Sequence, residues 1–341
     1  MNFQLFIIKR LKLNLMLKNF NPIIVVAGEP KSVFLELYIK NLNKFKKSPL
    51  ILIASQKLLI DQMKLIKIKK KINILKLKKK INLKNLDNKK INLIDIPIDY
   101  KNLDAIKTKN SNEYIKNSFE TALVLLKKNK NLRLINGPII KKSFLEKKHL
   151  GITEYLGSKY NIINNVVMLI YNKSLSVSPL TTHVPLKNVH KFISKKRIIN
   201  HVKKIHEFYK KSLNKNPTFG VTGLNPHCES SLRINEDEKI IKPAIRYLSK
   251  KNYKISGPFP ADTLFLKENI KKFDVIIGMY HDQVLTPFKA LFEFDAINIT
   301  LGLPYIRISP DHGVAKDKIK LNISNPKSLN RCIQMISSLI K

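Results

Sequence analysis

The sequence is poor in cysteine and glycine, and it contains no tryptophan. Of its 341 residues, two are cysteine and ten are glycine. Cys228 and Cys332 make neither a disulfide framework nor a zinc-finger spacing, so the reducing cytoplasm is the expected location. No uninterrupted apolar run reaches the roughly 18 residues that a membrane-spanning helix needs. These absences argue against a disulfide-rich secreted protein, a zinc finger and a membrane protein.

Acidic residues are also scarce. The chain has 24 Asp and Glu against 64 Lys and Arg, which gives a net charge of +40. One interpretation is a nucleic-acid partner, because clustered cations release counterions from phosphates. The other is a compositional bias toward Lys, Ile, Asn and Leu along the whole chain. We favour the bias, because the charge is spread and no nucleic-acid motif is present. No specific nucleic-acid partner is predicted, only weak polyanion binding.

The chain predicts an N-terminal extension followed by two domains. Residues 1–20 are basic and apolar, but charges interrupt the apolar part and no small-residue cleavage site follows, which argues against a secretory signal. A chain of 341 residues exceeds the usual size of one domain. The lysine-rich segment 64–92 has no settled period. It predicts either a pair of edge strands or a poorly ordered basic flap, and it carries no assigned chemistry.

Apolar runs alternate with helical patterns. The runs at 23–27, 50–54, 166–170, 218–221, 274–279 and 296–300 have the length and β-branched content of buried strands. Helices are predicted at 111–128 with Ser111 as N-cap, and at 192–213, 237–250 and 326–340. This alternation, without an internal repeat, predicts an α/β fold with a largely parallel sheet.

Residues 274–315 concentrate the polar chemistry. The apolar run 274–279 ends on Tyr280-His-Asp-Gln283, and the run 296–300 is followed by Arg307, Asp311 and His312. Titratable groups beside buried strands are costly unless they are paired, hydrogen-bonded or bound to a metal. In α/β proteins, ligands bind at the carboxyl ends of strands. This stretch is therefore the predicted site.

Three histidines each follow an apolar, strand-like segment: His183, His227 and His281. Three imidazoles with an open fourth position would make a catalytic metal site. The alternative is that histidines 44 and 54 residues apart are unrelated (227 − 183 and 281 − 227). Four other histidines lie in lysine-rich segments and are predicted to be at the surface: His149, His190, His201 and His206.

The motifs as a group resemble those of the 4-hydroxythreonine-4-phosphate dehydrogenase family, NAD-dependent enzymes of pyridoxal phosphate synthesis. The resemblance runs from about Pro22 to the C-terminus, in the family's order and at similar spacing. It rests on Gly28-Glu-Pro30, Gly137-Pro138 with Lys141, Gly151 with Thr153 and Glu154, Thr182-His-Val-Pro-Leu186, Gly223-Leu-Asn-Pro-His227, Gly257-Pro-Phe-Pro-Ala-Asp-Thr-Leu-Phe265, Tyr280-His-Asp-Gln283, Asn298-Ile-Thr-Leu-Gly-Leu-Pro304, and Arg307 with Asp311-His-Gly313. With this resemblance, the metal interpretation of the three histidines is favoured.

The resemblance implies a role for each matched residue. His183, His227 and His281 would bind a divalent metal (zinc, magnesium or cobalt). The phosphorylated small-molecule substrate would be held by Thr153, Lys289, Asn298 and Arg307. NAD or NADP would bind a non-Rossmann loop made of Asp311, His312, Gly313, Ala315, Asp317 and Asn325. The absence of a G-x-G-x-x-G motif after a strand is consistent with such a loop.

The segment Asp311-His-Gly-Val-Ala315, with Asp317 and Asn325, resembles the cofactor loop of the wider isocitrate and isopropylmalate dehydrogenase superfamily. This resemblance implies two α/β/α domains with a cleft between them. We expect the first domain at 21–145 plus 305–341 and the second at 146–304. The resemblance also implies a homodimer with the site near the subunit interface. The implied reaction is oxidation and decarboxylation of 4-phosphohydroxy-L-threonine to 3-amino-2-oxopropyl phosphate. The metal would favour an alkoxide-like hydroxyl as hydride leaves for the nicotinamide.

The chain departs from the family pattern at several positions. The family's usual GHTE is Gly151-Ile-Thr-Glu154 here, so Ile152 replaces a histidine that contacts substrate. Family glycines are replaced within Lys31–Phe34, Cys228–Arg233 and Val314–Lys320, and at Val284. Where those glycines had positive φ, the replacements predict strained backbone. Two alternatives stay open: an enzyme of this scaffold for another phosphorylated hydroxy acid, and a non-catalytic basic binding protein.

Overall fold

The computed structural model describes residues 22–42, 48–76, 86–87, 89–129, 132–145, 149, 151–228 and 235–339. The predicted N-terminal extension lies outside these ranges, as do part of the lysine-rich segment and residues 229–234. No helix among the described residues is both long enough and apolar enough to cross a membrane.

The secondary structure alternates between strands and helices. The strands are β1 (Ile23–Val26), β2 (Leu50–Ala54), β3 (Ile72–Ile74), β4 (Ile91–Asp95), β5 (Arg133–Asn136), β6 (Val167–Tyr171), β7 (Ser176–Thr181), β8 (Phe219–Thr222), β9 (Ile255–Phe259), β10 (Val275–Tyr280), β11 (Ile297–Leu301) and β12 (Arg307–Pro310). The α-helices are α1 (Phe34–Lys40), α2 (Gln56–Leu65), α3 (Thr108–Lys128), α4 (Lys141–Phe144), α5 (Ile152–Ser158), α6 (Lys195–Leu213), α7 (Lys242–Lys250), α8 (Ala261–Leu264), α9 (Lys267–Ile270), α10 (His281–Phe292) and α11 (Lys327–Ser338). The predicted mixed α/β fold is confirmed.

The described residues divide into two compact units, one within Met1–Pro138 and Val314–Lys341 and the other within Ile139–Gly313. In its described residues, the first unit has five parallel strands in the order β3-β4-β2-β1-β5. The apolar runs of β1 and β2 are buried along their whole length, which is why they read as continuous rather than alternating hydrophobic segments. β3 is an edge strand within the segment 64–92, whose remainder lies partly outside the described residues.

Helix α3 packs on β1 and β2, and it begins earlier than predicted. Its N-cap is Lys107, which makes no side-chain cap hydrogen bond. Ser111 instead lies inside the helix, where its hydroxyl donates to Glu29 Oε1 at 2.9 Å. The prediction of Ser111 as N-cap was therefore wrong, because a buried carboxylate from another segment takes its hydroxyl.

The part of the second unit that the structure describes has seven strands in the order β12-β11-β6-β7-β10-β8-β9. β7, β10, β8 and β9 are parallel, whereas β6 pairs antiparallel with β7 and β11 pairs antiparallel with both β6 and β12. The pairing of β12 with β11 places 307–310 in this unit. A cluster of buried side chains that includes Val177, Ile276, Val284 and Phe288 joins α10 to the sheet.

The central strands of this unit place their carboxyl ends together. Tyr280 of β10 is level with Thr181 of β7, and Ile277 of β10 with Val221 of β8. β10 passes directly into α10, since Tyr280 is its last residue and His281 opens the helix. The segments after β7, β10 and β8 therefore leave the same edge of the sheet, where α/β proteins bind ligands.

Candidate active site

The segments that leave this edge carry the three predicted metal ligands. His183 follows β7, His281 follows β10, and His227 lies in the loop after β8. The rings of His183 and His281 are neighbours, with centroids 5.8 Å apart and planes inclined by 38°. The structure thus brings together two histidines that are far apart in the sequence.

A carboxylate lies behind each ring of this pair. His281 Nδ1 is 2.6 Å from Asp282 Oδ1, and His183 Nδ1 is 3.9 Å from Glu154 Oε2. Thr182 fixes the second carboxylate by donating its hydroxyl proton to Glu154 Oε1 at 2.8 Å. Imidazole nitrogens backed by carboxylates are the donor set that zinc-like ions prefer. The residues present therefore suit a divalent metal.

His227 is exposed and has left-handed backbone, with φ 57° and ψ 12°. Its loop is held by Asp237, which accepts hydrogen bonds from Leu224 N at 2.7 Å and from Asn225 N at 3.1 Å. Over the described ranges, no three His, Cys, Asp or Glu side chains are placed to hold a metal ion. His227 therefore does not complete a site with His183 and His281 within the described part of one chain.

Two predicted substrate residues are joined by Thr300, which is not among the predicted site residues. Arg307 is only 1% exposed, and its Nη1 donates to Thr300 Oγ1 at 2.9 Å. The Thr153 and Thr300 hydroxyls are 3.3 Å apart. Thr153 and Glu154 share the first turn of α5, so this turn contacts both the Arg307 group and the His183 group.

Asn298 lies two residues before Thr300 on β11, so both side chains lie on one face of the sheet. Its Oδ1 is buried and has no hydrogen-bond partner among the residues that the structure describes. A buried acceptor without a donor is costly. Such an atom suits a ligand that brings an N–H or O–H group.

Lys289 and Asp311 form an ion pair. Lys289 Nζ donates to the Asp311 carboxylate and lies 3.4 Å from the Asp311 carbonyl oxygen. The family resemblance implies a substrate role for Lys289 and a cofactor role for Asp311. In the structure, the two side chains contact each other directly.

His312, the next predicted cofactor residue, is held by its own loop. Its Nδ1 donates to Gly313 O at 2.8 Å, and burial lowers the pKa of His312. The neutral ring then presents Nε2 as an acceptor, and this atom is buried with no partner in the described ranges. A Cβ added to Gly313 would meet nothing within 4 Å, so this turn has open space around it.

The remaining cofactor residues lie in the first unit, on the segment that leads into α11. Ala315 has left-handed backbone with φ 47°, and Asp317 is exposed. Asn325 Oδ1 accepts from Lys327 N at 2.9 Å and so supports the start of α11. The buried carboxylate of Glu36 anchors the same segment by accepting from Ser324 N at 2.9 Å.

The sequence matches the family described as "Pyridoxal phosphate biosynthetic protein PdxA" over residues 46–336. The chain belongs to the PdxA family. A 4-hydroxythreonine-4-phosphate dehydrogenase from Sulfurihydrogenibium sp. (strain YO3AOP1) is 33% identical over 317 residues, covering 91% of this chain and 96% of that protein. The enzyme of the same name from Wigglesworthia glossinidia brevipalpis is 33% identical over 327 residues, covering 92% and 95%.

Solved structures share the fold of this PdxA-family chain. The 4-hydroxythreonine-4-phosphate dehydrogenase from Klebsiella pneumoniae superposes with a TM-score of 0.74 at 24% identity, covering 94% of this chain and all of that chain. A terephthalate 1,2-cis-dihydrodiol dehydrogenase from Burkholderia xenovorans LB400 superposes with a TM-score of 0.61 at 15% identity, covering 93% and 98%. At these identities the likeness concerns the fold alone.

The departures from the PdxA-family glycines have different structural outcomes. Lys320, in the replaced run Val314–Lys320, has φ 74°, and Cys228 has φ 59°, so both side chains occupy left-handed backbone as predicted. Lys31–Phe34 has no positive φ. Val284 is accommodated by a glycine on β10, since a Cβ on Gly278 would lie 2.4 Å from Val284 Cγ1.

A cavity of about 240 Å³ opens beside α5, lined among others by Thr153, Glu154, Arg197, His201 and Lys204. The prediction that His201 lies at the surface was wrong, because it is 5% exposed and its Nε2 is 2.6 Å from Ser178 Oγ. Ser178 Oγ donates to Met168 O at 2.5 Å, so His201 Nε2 must supply the proton of the other bond.

Proposed function

We propose that the chain catalyses the metal-dependent, NAD(P)-linked oxidation and decarboxylation of 4-phosphohydroxy-L-threonine to 3-amino-2-oxopropyl phosphate, in pyridoxal 5'-phosphate biosynthesis. The observation that carries the proposal is the family membership, together with the position of His183 after β7, of His281 after β10 and of Asn298 on β11. The two cysteines make no disulfide framework in the sequence, which supports a reducing location that we take to be the cytoplasm.

The metal would be held by His183 and His281, with His227 as the proposed third ligand. When bound, zinc, magnesium or cobalt polarises a substrate hydroxyl, and NAD or NADP accepts a hydride. We propose that Lys289 and Arg307 neutralise the phosphate and carboxylate of the substrate. Asn298 Oδ1 would accept a hydrogen bond from the ammonium or hydroxyl group of the substrate, and Thr153 would orient the same end of the substrate.

The cofactor is proposed to bind the segment 311–325. His312 Nε2 offers an acceptor to an N–H or O–H donor of the cofactor, and the open space around Gly313 permits close approach of a ligand to the backbone. Ala315, Asp317 and Asn325 would complete this site. An assay that compares turnover with NAD and with NADP determines which cofactor the protein prefers.

We further propose that the protein is a homodimer with the site near the subunit interface. In the described part of one chain, His227 does not complete a group of three ligands with His183 and His281, and a second copy would supply the third ligand, which supports this proposal. Light scattering after size exclusion should give twice the mass of one chain; the mass of a single chain would contradict it.

The activity is tested by NADH or NADPH formation from 4-phosphohydroxy-L-threonine, with the metal content of the protein measured in parallel. We expect near-stoichiometric metal and metal-dependent turnover in the wild type. His281→Ala should lose both, whereas His190→Ala, which changes an exposed histidine, should lose neither. Metal-free protein without turnover would contradict the proposed function.

A second candidate is a dehydrogenase of the same scaffold for another phosphorylated hydroxy acid. Ile152 favours it, because the first residue of α5 cannot hydrogen-bond a substrate through its side chain, whereas the family's usual histidine can. A screen of phosphorylated hydroxy acids separates the two. Metal binding with turnover of another substrate, and none of 4-phosphohydroxy-L-threonine, would select the second candidate.

A further inference from the structure

We propose that Glu154 is a positioning residue for His183: its carboxylate accepts the Nδ1 proton, so that Nε2 faces the metal. The inference rests on the proposed metal binding and assigns a role to a residue outside the predicted metal, substrate and cofactor sets. Glu154 belongs to α5, whereas His183 follows β7, so the contact depends on the fold of the second unit.

The first observation is that only one of the two carboxylate oxygens of Glu154 accepts a hydrogen bond within the described ranges. Glu154 Oε1 accepts from the Thr182 hydroxyl at 2.8 Å. Glu154 Oε2 is buried, makes no hydrogen bond within the described ranges, and lies 3.9 Å from His183 Nδ1. An N–H···O bond needs about 2.9 Å, so a shift of roughly 1 Å would join the two atoms. A buried carboxylate oxygen gains from such a donor.

The second observation is the glycine that keeps this approach open. A Cβ on Gly151 would lie 2.7 Å from Glu154 Oε2, 2.7 Å from His183 Cε1 and 2.9 Å from His183 Nδ1. Any side chain at Gly151 would therefore occupy the space in which the carboxylate and the imidazole meet. In Gly151-Ile-Thr-Glu154, the first and last residues both lie against His183, although Ile152 stands in place of the family's usual histidine.

The chemistry follows from the imidazole ring. Neutral imidazole carries one N–H and one lone pair, and a metal needs the lone pair. A carboxylate at Nδ1 fixes the proton there, fixes the ring orientation and raises the basicity of Nε2. His281 has a carboxylate at the same ring nitrogen, but Asp282 is 81% exposed, so water weakens that contact. Glu154 is the more buried of the two supports.

A purely structural role is the alternative. Glu154 is in the first turn of α5, where a negative charge stabilises a helix, and it also accepts from Thr182. Removing such a role would lower the free energy of unfolding without changing the affinity of His183 for metal. The test therefore measures metal affinity separately from stability.

The experiment compares zinc affinity, by competition with a chromogenic chelator, for the wild type, His183→Ala, Glu154→Gln and Glu207→Gln. Glutamine has one acceptor oxygen, and Thr182 already uses it. We expect Glu154→Gln to bind zinc about 10- to 100-fold more weakly. Glu207→Gln removes an exposed carboxylate that pairs with Lys211 on α6 and should bind as the wild type does.

The outcomes separate the two proposals. If zinc binds equally to the wild type and His183→Ala, or to neither, the metal site fails and the positioning role fails with it. If His183→Ala binds weakly while Glu154→Gln stays within about 2-fold of the wild type, only the positioning role is overturned. If the Glu154→Gln variant does not fold, a measurement on the wild type alone still tests the inference. Nitrogen-15 spectra of the zinc-loaded protein should show the His183 proton on Nδ1, and a proton on Nε2 would overturn the inference.

Discussion

His201 shows how burial changes the behaviour of one residue. It lies among lysines in the sequence, yet on α6 it falls on the face that packs against the sheet, beside Val202 and Ile205. Burial, and then the nearby charges of Arg197 and Lys204, lower the pKa of His201 from 6.5 to about 3. Local composition could not predict this, because the orientation of one residue on a helix is decided by packing.

The lowered pKa predicts a pH-dependent stability. The unfolded chain takes up a proton at His201 near pH 6.5 and the folded chain only near pH 3. The contribution of neutral His201 is thus complete above pH 6.5 and declines by about 1.4 kcal/mol per pH unit as the pH falls toward 3. Urea unfolding at several pH values should show a shallower slope in His201→Gln than in the wild type. His206→Gln, on the same helix, should keep the wild-type slope; equal slopes in all three proteins would contradict the prediction.

Lys320 illustrates strain at a single residue. A lysine at φ 74° places its Cβ in the left-handed region, which costs roughly 1–2 kcal/mol. Lys320→Gly relieves that cost but loosens the unfolded chain and removes an exposed ion pair with Asp104. We expect a net gain of about 0.5–1 kcal/mol in the free energy of unfolding.

The matched control is Lys318→Gly, which removes a neighbouring lysine whose φ is not positive. It should destabilise the protein, because glycine there only adds freedom to the unfolded chain. Denaturant unfolding measures both variants. A loss of stability in Lys320→Gly as large as that in Lys318→Gly would show that position 320 is unstrained.

Among the helices, some have a side chain that caps the N-terminus with a hydrogen bond, and others have none. Ser194 Oγ accepts from Arg197 N at 3.2 Å at the start of α6, while α3 starts at an uncapped lysine. We expect Ser194→Ala to lower the free energy of unfolding by about 1 kcal/mol, because the first turn loses an acceptor. Ser194→Asn keeps an acceptor and should change the stability little. Equal effects of the two substitutions on chemical unfolding would rule out capping.

Most elements are predictable from apolar runs, but their pairing is less so. The runs of β1, β2 and β10 predict buried strands because they are short, apolar and contain β-branched residues. The antiparallel block of β6, β11 and β12 is not predictable in this way, since a short apolar run carries no information on strand direction. The predicted helix at 237–250 divides into a π-helical turn, Asp237–Ile241, and α7, and the Asp237 carboxylate at the start of that turn accepts from Leu224 N in the loop before His227.

Sequence motifs name candidate residues of the site, but not the contacts between their side chains. His183 and Arg307 lie in such motifs, and Lys289 is implied by the family resemblance. The contacts of Thr300 with Arg307, of Lys289 with Asp311 and of Glu154 with His183 join segments that only the folded sheet brings together. A sequence motif identifies the residue types, whereas the pairing of their side chains depends on which strand lies next to which.

At the scale of the whole molecule, the charge of +40 predicts a weak, sequence-independent affinity for polyanions. Binding to single-stranded and double-stranded DNA of several sequences should fall steeply and equally as salt rises from 50 to 200 mM, about the range over which phosphate contacts weaken. Fluorescence anisotropy measures this. Salt-resistant binding to one sequence would contradict it. Polyanion binding without any metal binding would favour a non-catalytic basic protein over the proposed enzyme.

The direct passage of β10 into α10 limits how this protein tolerates changes in chain length. Each residue turns an α-helix by about 100° and advances it by ~1.5 Å. One residue inserted between Tyr280 and His281 would rotate every later side chain of α10. Val284 and Phe288 would then leave the core, and Lys289 would point away from Asp311. Insertions and deletions should therefore accumulate in loops elsewhere, while the spacing from β10 to Lys289 stays constant.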